Sequence, residues 1–419
     1  MRKLQILIVI ADGLGDRPVP QYGGATPLEL AVKPYINSLL RNAVLGLWDP
    51  IAPGIRPGSD TAHLSLFGED PLKKYPGRGP FEAVGAGAEL KPGDIALRGN
   101  FATVDENMVI LDRRAGRKVP ENKEFVEYLN SNLGEVEGAE VRFYSATEHR
   151  LAVVIRGEGL SPEVTDTDPH EVGVKVPPSR PKVNTPEAEK TARIVTEITF
   201  RSHQLLKDHP LNKERVKRGL PPANIVLLRG AGQMVRYTPI TERVGVDIEK
   251  AAVVSATAMI KGVCRLLGME VYTPLGATGG VDTDVIAKAR KTVELIKEGY
   301  DLVYLHFKGT DAASHDGNPD LKKSFIERVD EAIGYIIQNV DMDSLVMVFT
   351  GDHTTPVSVR DHTGDPVPVM IVAPNVFPDR VRNFSERDVR LFGTLGRLRG
   401  NDLIRVVLDL ANRVEKFGA

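Results

Sequence analysis

A doubly wound α/β core with a mainly parallel sheet, carrying an inserted α+β domain, is the fold this sequence predicts. Three observations predict it. Short apolar runs recur at 4–10, 301–307, 344–350 and 367–373. Near-continuous hydrophobic stretches of that length suit parallel strands covered by helices on both faces. Helical segments lie between the later runs, and alternation of strands with helices argues for a doubly wound sheet. The stretch from about 75 to 235 reads differently, with a strand pair and proline-bearing breaks.

The first run, "LQILIVI", reads as a buried strand that ends at Asp12. Its basic start resembles a leader peptide, but Asp12 interrupts before a cleavage site of small residues can follow, so the expectation is a cytoplasmic protein. Next comes "RPGSDTAHLSLFG", 56–68, where Ser59 opens a helix-competent run after a Pro-Gly break. Two readings compete there. Serine is a favoured helix cap because its oxygen accepts a free backbone N–H, and it is also a nucleophile.

"AEVRFYSATEHRLAVVIRG", 139–157, predicts two strands joined by a tight turn, and "KVPPSRPKVNTPEAEKTARIVTEITFRSHQLLKDHP", 175–210, a proline-rich link entering a long amphipathic helix. "KRGLPPANI" marks a second break. "DTDVIAKARKTVELIKEG", 282–299, starts on a cap signal and stops at Gly299. The segment from Asp320 puts Phe325, Ile326, Val329, Ile333, Ile336 and Ile337 on one stripe. These signals divide the chain into a discontinuous core, 1–74 plus 236–419, and an inserted cap, 75–235.

The chain has 419 residues, 42% hydrophobic and 26% charged, ordinary for a globular protein with a real core. Its 54 Lys plus Arg balance 56 Asp plus Glu, for a net charge of -2. That argues against nucleic acid or a membrane surface as the main partner. No stretch approaches the roughly 18 apolar residues of a membrane helix. One cysteine, Cys264, excludes an intrachain disulfide framework and a cysteine zinc site. It lies in an apolar run and reads as core.

Ligands of open α/β sheets gather at the carboxyl ends of the strands. There the sequence delivers Asp12, then Asp311 and His315 of "KGTDAASHDGN", then Asp352 and His353 of "GDH", and His362 of "VRDHTGD". Each piece alone is unremarkable, since an Asp after a strand usually caps a helix. Three strands that bring carboxylates to one edge are electrostatically costly unless cations lie among them. Asp311 and His315 stand four apart, on one side of a helical turn. Mixed carboxylate and imidazole donors suit Mn²⁺, Mg²⁺, Co²⁺ or Zn²⁺.

The order Asp…Gly-Ser…D-x-x-x-H…GDH…H resembles the alkaline phosphatase superfamily. "VIADGLGDRP", "GRGPFEAVGAGAELKPGDIALRGNFATVD", "DRRAGR", "TDTDPH" and "DGNPDLKKSFIERVDEAIG" resemble its archaeal-type cofactor-independent phosphoglycerate mutases over nearly the whole chain. The resemblance implies an alkaline-phosphatase-like core and interconversion of 3-phosphoglycerate and 2-phosphoglycerate without 2,3-bisphosphoglycerate. It implies that Ser59 takes the phosphoryl group. One divalent ion would be held by Asp12, Ser59, Asp352 and His353, the other by Asp311, His315 and His362. The cap would bind substrate through Arg113, Arg114 and Arg117, His149 and Arg150, and Asp166, Asp168 and His170, with Arg78 and Arg229 as weaker candidates. A metal-dependent phosphohydrolase, or another phosphotransferase of the superfamily, is the alternative. The expected partner is small-molecule phosphoglycerate; a homo-oligomer stays open.

Overall fold

The computed structural model describes residues 2–418, which fall into two compact units. One runs up to Tyr75 and resumes at Tyr237; the other is Pro76–Arg236.

The first unit is built on an eight-stranded sheet. Its spatial order is Glu270–Tyr272, Ala251–Val254, Leu302–Phe307, Gln5–Ala11, Leu345–Thr350, Val367–Val372, Ala43–Asp49 and Gly396–Arg399. Only Val367–Val372 runs antiparallel to its neighbours; every other pairing is parallel. The four apolar runs of the sequence are four adjacent central strands, and those strands are buried almost throughout. Helices Val285–Lys297 and Pro319–Asn339 cover the sheet, sharing one apolar cluster with it. Asp284 caps the first by accepting the Ala287 N–H, and Asn318 caps the second by accepting that of Leu321. On Pro319–Asn339 the predicted stripe is buried from Phe325 to Ile336, with Ile337 half-buried at its margin.

The second unit is antiparallel. Ile95–Val104 pairs with Ile110–Asp112, Arg150–Arg156 and Ile225–Gln233, and Ala139–Ser145 joins Arg150–Arg156 to Glu135–Val136. Helices Asn122–Asn132 and Pro186–Leu206 pack their apolar faces on this sheet through Phe125, Leu129, Ile194 and Ile198. Thr185 caps the longer helix and Pro186 opens it, where a missing N–H costs nothing. No helix among the described residues is long and apolar enough to cross a membrane.

Candidate active site

The strand order of the first unit explains why distant residues meet. Gln5–Ala11 lies between Leu302–Phe307 and Leu345–Thr350 in parallel register. Their carboxyl ends therefore release Asp12, the helix Gly309–His315 and the Asp352–His353 turn side by side. Asp12, Asp311 and Asp352 are all buried. Gly13 makes the approach possible: its φ is +65°, and a Cβ there would lie 2.7 Å from Thr355 Oγ1 and 2.9 Å from Asp311 Oδ1.

Two groups of donor atoms result, Asp311–His315–His362 and Asp12–Asp311–His353, each within 4.8 Å of one another. Asp311 belongs to both, where the resemblance assigned it to one ion only. Asp352 stands beside the second group, its Oδ2 3.3 Å from His353 Nε2. His315 Nδ1 faces the Arg360 carbonyl at 2.7 Å, and His362 Nδ1 the Pro57 carbonyl at 2.8 Å. A carbonyl only accepts, so each Nδ1 carries a proton and each Nε2 is the nitrogen turned toward Asp311. His353 stacks on His362 with ring centroids 3.6 Å apart.

Ser59 is the first residue of the helix Ser59–Leu66, and Gly58 holds the cap position. The cap reading of Ser59 therefore does not hold. Its Oγ lies 3.0 Å from His353 Nε2, at the Asp/His cluster.

Charge within this cluster is unbalanced. Lys308 Nζ lies 2.6 Å from Asp311 Oδ2 and 3.1 Å from Asp12 Oδ2. Burial works against its charge, but Asp12 and Asp311 outweigh that and hold its pKa above the usual lysine value. Burial would likewise raise Asp12, yet Lys308 and the His306 hydrogen bond hold it well below the usual carboxylate range. Asp352 goes the other way, pushed well up by burial and by the Asp12 charge. The His315 hydrogen bond to Asp311 is the main cause that raises that imidazole to about 9, so a cation taking its Nε2 displaces a proton. Asp12 Oδ1 and Asp352 Oδ2 have no hydrogen-bond partner. Buried carboxylate oxygens without partners, beside imidazole nitrogens, fit a pair of divalent cations.

The second unit carries a cavity of ≈ 220 Å³ lined by Arg98, Asn100, Arg113, Arg114, Arg117, His149, Arg150 and Arg229. Six of the predicted substrate residues line it: Arg113, Arg114, Arg117, His149, Arg150 and the weaker candidate Arg229. Asp166, Asp168 and His170 are not among its lining residues. Both oxygens of Asp168 are taken up by Arg113, at 2.7 and 2.8 Å, and Asp166 accepts the Gly230 N–H. His170 lies beside Arg229, with Nδ1 3.4 Å from its guanidinium. Asp168 thus orients Arg113, one of the cavity arginines. A larger cavity of ≈ 650 Å³ in this unit is lined by Pro178, Pro181, Ala192, Phe200 and three glutamates. It has no basic cluster for an anion.

Sequence reasoning missed Lys308, Arg98 and Asn100. Lys308 follows a strand end as the aspartates do, and that position was its signal. Arg98 and Asn100 lie inside Ile95–Val104, whose ten residues are all buried, so no pattern distinguishes pocket from core. His63 and His306 are fully buried beside the carboxylates. His306 Nε2 lies 3.1 Å from Asp12 Oδ2, and His63 Nδ1 3.7 Å from Asp352 Oδ2.

Known proteins share both units. A family model described as 2,3-bisphosphoglycerate-independent phosphoglycerate mutase matches residues 41–212. One described as type I phosphodiesterase / nucleotide pyrophosphatase matches residues 237–365. A 2,3-bisphosphoglycerate-independent phosphoglycerate mutase of Ignicoccus hospitalis is 57% identical over 423 residues, covering 100% of both chains. Among solved structures, a Pyrococcus horikoshii protein is 41% identical with a TM-score of 0.84, over 100% of both chains. A cofactor-independent phosphoglycerate mutase from Thermoplasma acidophilum is 34% identical with a TM-score of 0.69, over 97% of this chain and 100% of the other.

Proposed function

The chain belongs to the 2,3-bisphosphoglycerate-independent phosphoglycerate mutases, enzymes that interconvert 3-phosphoglycerate and 2-phosphoglycerate, and we propose how its residues divide that work. Ser59 is the nucleophile. Its Oγ attacks the phosphorus of 3-phosphoglycerate, the bond to the substrate's O3 breaks, and a phosphoserine and glycerate result. The C2 hydroxyl of the same glycerate then attacks phosphorus, the bond to Ser59 Oγ breaks, and 2-phosphoglycerate leaves. Position at a helix start favours Ser59 for this role, because the free backbone N–H groups there attract the phosphoryl oxygens.

Asp12, Asp352, His353, Asp311, His315 and His362 would hold two divalent ions, with Mn²⁺ the first to test. Such ions neutralise the carboxylates, acidify the Ser59 hydroxyl and stabilise the transferring phosphoryl oxygens. Lys308, between Asp12 and Asp311, carries a positive charge that favours an incoming anion. In the second unit, Arg98, Arg114, Arg117, Arg150 and Arg229 supply N–H donors to carboxylate and phosphate, with Arg113 adding positive charge from its pair with Asp168. Holding glycerate through the half-reaction is what separates a mutase from a phosphatase, because water competes for the phosphoserine. The setting we assign is the cytoplasm.

The observation that carries this mechanism is the approach of Ser59 Oγ to His353 within the Asp/His cluster. Phosphorus NMR of the protein with 3-phosphoglycerate and Mn²⁺, and no bisphosphoglycerate, tests it. A 2-phosphoglycerate signal with little free phosphate is expected. Free phosphate alone would make this chain a phosphohydrolase.

A further inference from the structure

We propose that Asn100 reads the free hydroxyl of the substrate and so selects a hydroxylated phospho-carboxylic acid over its deoxy analogue. The inference rests on reading the basic cavity as the substrate site.

The argument is a count of donors and acceptors. Guanidinium groups donate and never accept. Among the side chains that line the cavity, only Asn100 Oδ1 and one nitrogen of His149 can accept. His149 Nδ1 lies 3.2 Å from the Arg117 carbonyl and must donate to it, which leaves Nε2 as its acceptor. Asn100 is 3% exposed. Its Nδ2 donates to Asp168 Oδ2 at 3.4 Å, and a carboxylate only accepts, so the amide cannot be turned the other way. Oδ1 is therefore the end without a partner.

A buried carbonyl oxygen left unpaired is costly. Phosphate and carboxylate oxygens are acceptors and cannot relieve it; a hydroxyl can. Arg98 stands two residues before Asn100 on the same strand, hence on the same face. Its Nε is unpartnered as well. The strand thus offers one donor for an anion and one acceptor for a hydroxyl, side by side. This pairing matches a glycerate skeleton, in which a carboxylate and a hydroxyl sit on neighbouring carbons.

Calorimetry on the full-length Mn²⁺-loaded protein tests this, with Ser59→Ala as the background so that no turnover occurs. The two probes are 3-phosphoglycerate and 3-phosphopropionate, which differ only in the 2-hydroxyl. We expect 3-phosphoglycerate to bind about tenfold to a hundredfold more tightly, the ratio a single lost partner supports. Adding Asn100→Leu should bring the ratio close to one, by weakening 3-phosphoglycerate and leaving 3-phosphopropionate nearly unchanged. Asn100→Ala, which only removes atoms, gives the same reading if the leucine variant does not fold. Equal affinities in the background, or a ratio that survives both substitutions, would overturn the role of Asn100. Failure of both phospho-acids to bind would overturn the reading of the cavity itself, and this inference with it.

Discussion

With Gly58 in the cap position and His353 Nε2 3.0 Å from its Oγ, Ser59 differs from an ordinary helix-start serine. Ser59→Ala removes one oxygen and no cap, so phosphoryl transfer should fall below detection while the circular dichroism spectrum and melting temperature stay close to wild type. Retained transfer would remove the phosphoserine step. Asp311 is shared by both donor groups. Asp311→Ala should therefore lower bound metal more than His315→Ala, which touches one group; mass spectrometry of dialysed protein compares them. Away from the site, Lys33 is buried, and its Nζ donates to the Leu28 carbonyl at 2.6 Å. Burial pushes its pKa down from 10.5 to about 8, against the pull of Glu386 and Asp330. The sign follows from proton counts. Between pH 8 and 10.5 the unfolded chain holds the Lys33 proton more than the folded one, so this residue's contribution to stability rises with pH there. Relative to Lys33→Met, the wild type should gain on the order of 3 kcal/mol between pH 7 and 10.5, read by urea unfolding at both ends. A flat difference would show that the ammonium is well solvated in the fold.

Elements transmit these requirements. Gly309 begins the short helix that carries Asp311 and His315, and a Cβ there would sit well inside van der Waals contact of the Phe325 ring. Phe325 is 1% exposed and locked in the core of Pro319–Asn339, so it cannot yield without moving its helix. Gly309→Ala should cost about 1–3 kcal/mol by overpacking and loosen metal binding. Adding Phe325→Leu should recover part of both, as thermal melts and metal titration would show. Normal metal affinity in Gly309→Ala alone would mean that the Asp311 helix adjusts independently of its neighbour. Strand and helix positions were legible because the periodicity is strong. The apolar runs at 4–10, 301–307, 344–350 and 367–373 are strands, and their parallel order brings Asp12, Asp311 and Asp352 together. Asn100 was not legible, because a polar residue within an unbroken buried strand leaves no periodic trace. The partners of Asp166 and Asp168 were not legible, because a sequence shows a carboxylate but not the backbone N–H or guanidinium that meets it.

The whole molecule separates two kinds of chemistry into two compact units. Metal-ligating donors and the nucleophile lie in one; the arginine cavity lies in the other. A hydrolase needs only the first, since water is everywhere. An intramolecular transfer needs the second as well, because the alcohol that leaves must be the alcohol that returns. Substituting the cavity should therefore change the fate of the phosphoryl group more than its departure. Arg150 lines the cavity at the start of Arg150–Arg156, and removing its guanidinium leaves the donor groups of the other unit untouched. In Arg150→Ala the metal content should match wild type, KM for 3-phosphoglycerate should rise, and the fraction of phosphorus released as free phosphate should increase several-fold, since each weakened contact lets glycerate escape before the second attack. Phosphorus NMR of a single sample reads both products. A slower enzyme with an unchanged product ratio would mean that Arg150 serves the first transfer alone. Loss of metal would mean that the two chemistries are not separable along the division of the chain.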